Sequence, residues 1–252
     1  MTSTAADMRS NWEASFQAQI AASAYNTSPV EAVVRTVAYY LRARHATSAF
    51  GKLQFLDLGC GAGPNMTWLA EKGIRVSGID IAPTAIELAR ANLGRRGFAS
   101  LVDRLELGSV TELPFPDQSF DGAVEACVFQ HLDKAGRVRA FAEVKRVLKP
   151  GGVFVGYMLS RSHTLWEIKA GTAVADDPGT VILNETGAKP NKMHLQDIGL
   201  SHFFARDEFD KLLAGCGTID ACVSDYDIPR EEAKRRGFER YHQGMFTVYA
   251  VK

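Results

Sequence analysis

Apolar positions along the middle of the chain recur with two alternating periods. Leu53, Phe55, Leu56 and Leu58 make a short apolar run that predicts a strand; a helix N-terminus follows at Pro64, and Ile74 to Ile79 predicts a second strand. Beyond Asp80, Pro83 opens a helix carrying Ile86, Leu88, Ala89 and Leu93. A strand is expected near 103–108 and another over Phe120–Ala126. Val138, Phe141, Val144 and Leu148 are spaced as the apolar face of a further helix, which Pro150-Gly151-Gly152 breaks before a fifth strand at Val153–Tyr157. Such alternation predicts an α/β fold, with parallel strands, right-handed crossovers and helices on both faces.

The flanks read differently. Ser28-Pro29-Val30-Glu31 has the form of a capping box, and Val30, Val33, Val34, Val37 and Leu41 behind it predict a helix over about 29–44. Asn11-Trp12-Glu13 and Phe16 suggest a shorter helix upstream, joined through Ala24-Tyr25-Asn26-Thr27. Near the other end, 219–228 and 245–251 are short β-rich runs. Residues 160–206 break the alternation and hold His163, Trp166, His194, His202, Phe203 and Phe204. A long excursion of that kind in a compact domain is more often functional than a plain connection.

The chemistry concentrates where the first two strands end. Phe55-Leu-Asp-Leu-Gly-Cys-Gly-Ala-Gly63 closes one strand in glycines that let main-chain N–H groups approach a ligand, and the second strand closes in the carboxylate of Asp80. A glycine loop beside an acid at the carboxyl ends of neighbouring parallel strands is the arrangement that binds nucleosides through ribose hydroxyls. The spacing is G-x-G-x-G, and Pro64 stands where a dinucleotide fingerprint has its third glycine, which weakens a nicotinamide-linked oxidoreductase as the reading.

The stretch Leu56–Pro83, followed by Glu112-Leu-Pro-Phe-Pro-Asp-Gln-Ser-Phe-Asp121 and Arg146-Val-Leu-Lys-Pro-Gly-Gly152, resembles the class I S-adenosylmethionine-dependent methyltransferases over roughly residues 50–157. The resemblance implies a doubly wound, seven-stranded, mainly parallel sheet with its last strand antiparallel between its two predecessors. It also implies an N-terminal helical lid (1–45), a cofactor-binding core (46–157), a substrate-cap insertion (160–206) and a C-terminal helix and strands (207–252). For S-adenosylmethionine it implies Asp57 ordering the loop or reaching the amino group through water, and Gly59, Cys60 and Gly61 near the methionine moiety. Asp80 would sit on the ribose and Ile81 against adenine, with Tyr25 of the lid touching the methionine part. Ser109 and Val110 occupy a place where many relatives carry Gly-Asp, and Glu125 closes the fourth strand toward the same cleft. His131, after that strand, is the first candidate for a base acting near neutral pH; His163, His194 and His202 are its rivals.

Composition narrows the acceptor. The 29 basic and 29 acidic residues cancel, so no net field recruits nucleic acid or an anionic membrane. After the fourth strand, Glu125-Ala-Cys-Val128 lacks the Pro-Pro-aromatic stretch of amino methylases that hold a flipped base. Cys60, Cys127, Cys216 and Cys222 lack C-x-x-C spacing, and no signal peptide or long apolar span is present, so reduced thiols in a cytoplasmic protein without a bound metal are expected. The expected partner is a small-molecule acceptor, planar or aromatic, methylated on oxygen, nitrogen or carbon. A non-catalytic S-adenosylmethionine-binding regulator is the alternative of a different class.

Overall fold

The computed structural model describes residues 5–183 and 199–252. In chain order the elements are α1 (Ala5–Ala21), α2 (Glu31–Arg44), β1 (Gln54–Leu58), α3 (Pro64–Glu71), β2 (Arg75–Asp80), α4 (Pro83–Arg95), β3 (Val102–Leu107) and β4 (Phe120–Ala126). They continue as α5 (Lys134–Val147), β5 (Leu148–Leu159), α6 (Thr164–Lys169), β6 (Thr180–Leu183), β7 (Gly199–His202), α7 (Arg206–Leu212), β8 (Thr218–Val223), β9 (Tyr226–Asp227), α8 (Arg230–Arg235), β10 (His242–Gln243) and β11 (Met245–Val251).

Seven strands form one sheet in the order β3-β2-β1-β4-β5-β11-β8. Neighbours from β3 to β5 are parallel, whereas β11 runs antiparallel to both β5 and β8, as the resemblance implies. Alternation along each strand feeds two cores. Leu56, Leu58, Ala123 and Phe154 face one side and pack with Phe141 and Val144 of α5 and Phe209 of α7. Phe55, Val124, Val153 and Val155 face the other and pack with Val33 and Val37 of α2, Met66 and Leu69 of α3, and Ile86 and Ala89 of α4. Central strands covered on both faces explain why β1 and β4 read as nearly continuous apolar runs.

Three local expectations are corrected. Helix α1 is a full 17 residues, longer than the short helix expected around Trp12. Helix α2 starts at Glu31 with no side-chain cap from Ser28. Instead the Asn26 side-chain oxygen accepts from Ser28 N at 3.0 Å, and that of Asn65 accepts from Val30 N at 3.1 Å, so the start of α2 is tied to the first turn of α3. Strand β5 begins at Leu148, ahead of the expected Val153: Lys149 to Gly152 are accommodated by a register shift against β4 rather than by leaving the sheet.

The excursion after β5 carries α6 and the antiparallel pair β6–β7. Val181, Leu183 and Phe203 form a separate small core with Leu159, Leu165, Tyr241 and Met245. His194 lies outside the described residues.

Candidate functional site

At the carboxyl ends of β1, β2 and β4 lies a cavity of about 290 Å³, walled by the glycine loop, Asp80, Ile81, Ser109 and Val110, and by Cys127, Val128 and His131 beyond β4. The loop is stitched to the end of β2: Gly59 N and Cys60 N both donate to Ile79 O, at 2.8 and 3.0 Å. Gly59 and Gly61 have φ of 70° and 52°, and a Cβ on Gly59 would fall 2.3 Å from the Val128 side chain. Glycine is therefore required there by conformation and by close approach together.

Asp80 closes the cradle. One carboxylate oxygen accepts from Gly61 N at 2.9 Å and the other from Ala82 N at 3.0 Å, so the acid is aimed by the loop on one side and by the entry to α4 on the other. Each oxygen keeps a lone pair for a ligand hydroxyl. Asp57, one strand away, is 1% exposed and neither of its oxygens has a hydrogen-bond partner of good geometry. Burial pushes it up to about 7; the nearby Asn65 amide and Met66 N–H pull the other way, while the charges of Asp80 and Glu125 add to the rise. Asp57 is not on the cavity wall; it lies buried beneath a loop whose Gly59, Cys60 and Gly61 N–H groups are already engaged, and a buried carboxyl so placed favours a cationic or N–H-bearing neighbour.

Ser109 lines the cavity, and its hydroxyl also serves its own turn, accepting from Thr111 N at 3.2 Å. Helix α1 supplies the opposite wall through Met8, Trp12, Phe16 and Gln19. Their spacing of four, four and three residues is one helical face, a signal present in the sequence that assigned these residues no role beyond helix formation. Glu13, on the same helix, accepts from Thr84 N at 3.1 Å and from the Thr84 hydroxyl, docking α1 against the first turn of α4.

Other expected site residues lie elsewhere. Tyr25 lines an adjoining cavity of about 220 Å³ with Arg95 and Arg96, which shares only Ala62 and Pro64 with the first. Glu125 is fully buried and does not reach the cleft: one oxygen accepts from Val128 N and Phe129 N, at 2.5 and 3.0 Å, and the other from Tyr157 N at 3.3 Å. Burial holds it near 7 against those donors, and its work is to shape the turn after β4.

Of the histidines, His131 and His202 have both ring nitrogens engaged, whereas His163 keeps a buried Nε2 without a partner. His131 borders the cavity at 2% exposure, with Trp12 against its ring at 5.4 Å. Leu159 N donates to the Gln130 side-chain oxygen at 2.9 Å, so the Gln130 amide nitrogen must face His131 Nε2, 3.3 Å away. His131 Nδ1 donates to Leu200 O at 3.1 Å. That fixes a neutral tautomer with both nitrogens engaged, and burial pushes the imidazole down to about 4. His163 caps α6, its Nδ1 accepting from Leu165 N at 3.1 Å, wedged between Phe203 and Tyr241. His202 lies between the Thr180 hydroxyl and Glu208, at 2.8 and 2.9 Å, beside the buried pair Arg137–Asp177. Neither His163 nor His202 lines the cavity, which corrects their candidacy as bases. Among the described residues no group of His, Cys, Asp and Glu is arranged to hold a metal ion, and no helix is long and apolar enough to cross a membrane.

Residues 56–156 match the family model described as a methyltransferase domain. The sterol 4-C-methyltransferase strm-1 of Caenorhabditis elegans is 32% identical over 110 residues, 43% of this chain and 31% of that protein. The demethylmenaquinone methyltransferase of Symbiobacterium thermophilum is 35% identical over 104 residues, 40% of each chain. This chain thus aligns with less than half the length of either relative. A methyltransferase from Methanosarcina mazei shares the fold, with a TM-score of 0.60 at 24% identity over 79% of this chain and 92% of that one. TehB from Haemophilus influenzae does so with a TM-score of 0.59 at 15% identity, covering 90% of this chain and 63% of that one.

Proposed function

We propose, with residues 56–156 belonging to the class I S-adenosylmethionine-dependent methyltransferases, that this chain transfers a methyl group from that donor to an oxygen, nitrogen or carbon atom of a small metabolite. The observation that carries the reading is the pair of carboxylates at the glycine loop. Asp57 is buried beneath the loop with no hydrogen bond of good geometry to either oxygen, and Asp80, on the cavity wall, is aimed by two backbone N–H groups with acceptor capacity to spare. Together they suit a ligand with a cationic amino-acid end and a ribose, which S-adenosylmethionine has. Gly59, Cys60 and Gly61 would hold the methionine part, Asp80 the ribose hydroxyls, and Ile81, Ser109 and Val110 the adenine. When bound, the donor supplies a methyl group on a sulfonium that departs as a neutral thioether.

What the chain itself contributes is alignment and dryness. Met8, Trp12 and Phe16 of α1 exclude water from one side of the cavity, and Val128 and His131 bound it on the other. With both nitrogens of His131 and His202 hydrogen-bonded, His163 away from the cavity, and all three pushed down by burial, proton removal from the acceptor is left to solvent or to the acceptor's own acidity. The relatives' names, a sterol and a demethylmenaquinone methyltransferase, support a small and largely apolar acceptor.

Titration calorimetry with S-adenosylmethionine and with NAD tests the donor, and a pooled-metabolite assay with methyl-labelled donor tests transfer. Saturable binding of the sulfonium, weakened by roughly 1–3 kcal/mol in Asp80→Ala as a hydroxyl acceptor is lost, and label appearing in a small molecule are expected. Binding of NAD alone overturns the reading; binding of the donor without transfer favours the regulator.

A further inference from the structure

S-adenosylmethionine is a zwitterion at its methionine end, so a cavity that takes it must receive a carboxylate as well as an ammonium group. The cavity at the glycine loop is set for positive charge. Asp80 lies on its wall and Asp57 is buried beneath the loop, while among the described residues no Lys or Arg lines it. His131, on the same wall, is held neutral by its two hydrogen bonds. A carboxylate brought there unpaired would lose its hydration without compensation. Neutral N–H donors must take it.

The loop's own donors are engaged: Gly59 N and Cys60 N go to Ile79 O, and Gly61 N goes to Asp80. Side-chain amides come next, and Gln19, Asn26 and Asn65 are those on the wall. Gln19 Nε2 donates to the Ser15 hydroxyl at 3.3 Å. The Asn65 side-chain oxygen accepts from Val30 N at 3.1 Å, and its amide nitrogen is turned inward toward Asp57. Asn26 differs from both. Its oxygen accepts from Ser28 N at 3.0 Å, closing a turn onto the backbone two residues ahead, which fixes which end of the amide is nitrogen. That nitrogen donates to no described residue. Tyr25 and Thr27, on either side in sequence, line the adjoining cavity together with Ala62 and Pro64, so Asn26 stands beside the glycine loop.

We propose that Asn26 receives the carboxylate of the donor's methionine part, and that it thereby selects the zwitterionic donor over a decarboxylated one. The turn to Ser28 N holds the amide so that both hydrogens of Nδ2 remain for the ligand, and hydrogen bonds to an ionised acceptor are the stronger kind. The acids bind the positive groups of either donor; only Asn26 distinguishes the one that carries a carboxylate. The inference rests on the methyltransferase reading, since it presumes that donor.

Titration calorimetry of the full chain tests this with S-adenosylmethionine, its decarboxylated form, and methylthioadenosine, which lacks the amino-acid part. Asn26→Asp keeps an oxygen for Ser28 N, so the turn survives while the donor becomes a like charge; Asn26→Ala loses both. The affinity ratio of S-adenosylmethionine to the decarboxylated form should fall about tenfold in Asn26→Asp and about threefold to tenfold in Asn26→Ala. Methylthioadenosine should bind equally well to wild type and both variants. A ratio unchanged in Asn26→Asp, with a loss in Asn26→Ala alone, would show that Asn26 serves only its turn and overturns the proposal. Equal weakening of all the ligands overturns it too, because the whole loop has then moved. A ratio that falls in Arg95→Gln and not in Asn26→Asp moves the carboxylate to the adjoining cavity, which Arg95 lines. Failure of the wild-type chain to bind S-adenosylmethionine at all overturns instead the methyltransferase reading.

Discussion

His131 Nδ1 donates to the carbonyl oxygen of Leu200 across 3.1 Å, linking the turn after β4 to strand β7 of the insertion. With Nε2 facing the Gln130 amide, the ring bridges two parts of the chain and holds no free nitrogen for a proton in transit. The rate–pH profile of methyl transfer should therefore show no limb from an imidazole near its ordinary value of about 6.5. His131→Asn, which can still donate to Leu200, should keep more activity than His131→Ala. A limb near pH 6.5 that vanishes in His131→Asn would return the residue to the role of base.

Asp57 gives a pH dependence to binding. Its folded pKa, pushed up to about 7 by burial, means that the cofactor-free chain carries a proton there below that pH. A cationic ligand favours the carboxylate, so binding must release the proton. Affinity for S-adenosylmethionine should accordingly rise with pH up to about 7, at most tenfold per unit, and then level off. For the free chain, an acid with its pKa raised on folding lowers stability progressively as pH rises from about 4 to about 7. Asp57→Asn should flatten both slopes. Persistence of the affinity slope in that variant would transfer it to another carboxyl.

Glu13 holds α1 in place through Thr84, at the positive end of α4. Glu13→Gln should loosen the helix, raise its protease sensitivity and weaken cofactor binding about threefold, since Trp12 and Phe16 lose their fixed position. Calorimetry together with limited proteolysis checks this. Unchanged cleavage alongside unchanged affinity would show that α1 is held by its apolar face alone.

Arg137 is 3% exposed and forks onto both oxygens of Asp177, at 2.6 and 2.8 Å, while also donating to Leu132 O. Removing one partner strands a buried charge. Arg137→Met should cost about 3–5 kcal/mol, lowering the melting temperature on the order of 10 °C for a chain of this size. Arg137→Met combined with Asp177→Leu should recover part of the loss in thermal denaturation. No recovery would mean that the bond to Leu132 O matters more than the ion pair.

That the glycine loop and Asp80 meet at one cavity was legible because the parts are local. Gly59, Gly61 and Asp80 act through backbone conformation and through strands that neighbour each other in both sequence and space. Alternation indicated the parallel strands, and the place of the last strand in the sheet came from the family resemblance. Glu125 and the histidines were not legible, because their roles depend on distant partners: His131 on Leu200, His202 on Glu208 and Thr180, Glu125 on Tyr157 N. A titratable side chain announces chemistry in a sequence, and only the fold reveals whether a backbone group has already claimed it. Met8, Trp12 and Phe16 were visible as a helical stripe, but nothing local distinguished a stripe facing a ligand from one facing the core.

Strand β11 lies between β5 and β8, although both of them precede it in the chain. During synthesis, β1 to β5 can pair in nearly the order in which they emerge, each with a helix to cover it. β8 has no neighbour until Met245 to Val251 have been made, and Lys252 then clasps the bend of β5, its carbonyl accepting from Gly151 N at 2.7 Å. A ribosome stalled before that point leaves the bonding edge of β5 open and β8 unpaired, two free edges that invite pairing with other chains. One late strand covers the edge of β5 and gives β8 its partner at once, leaving β8 only its outer edge.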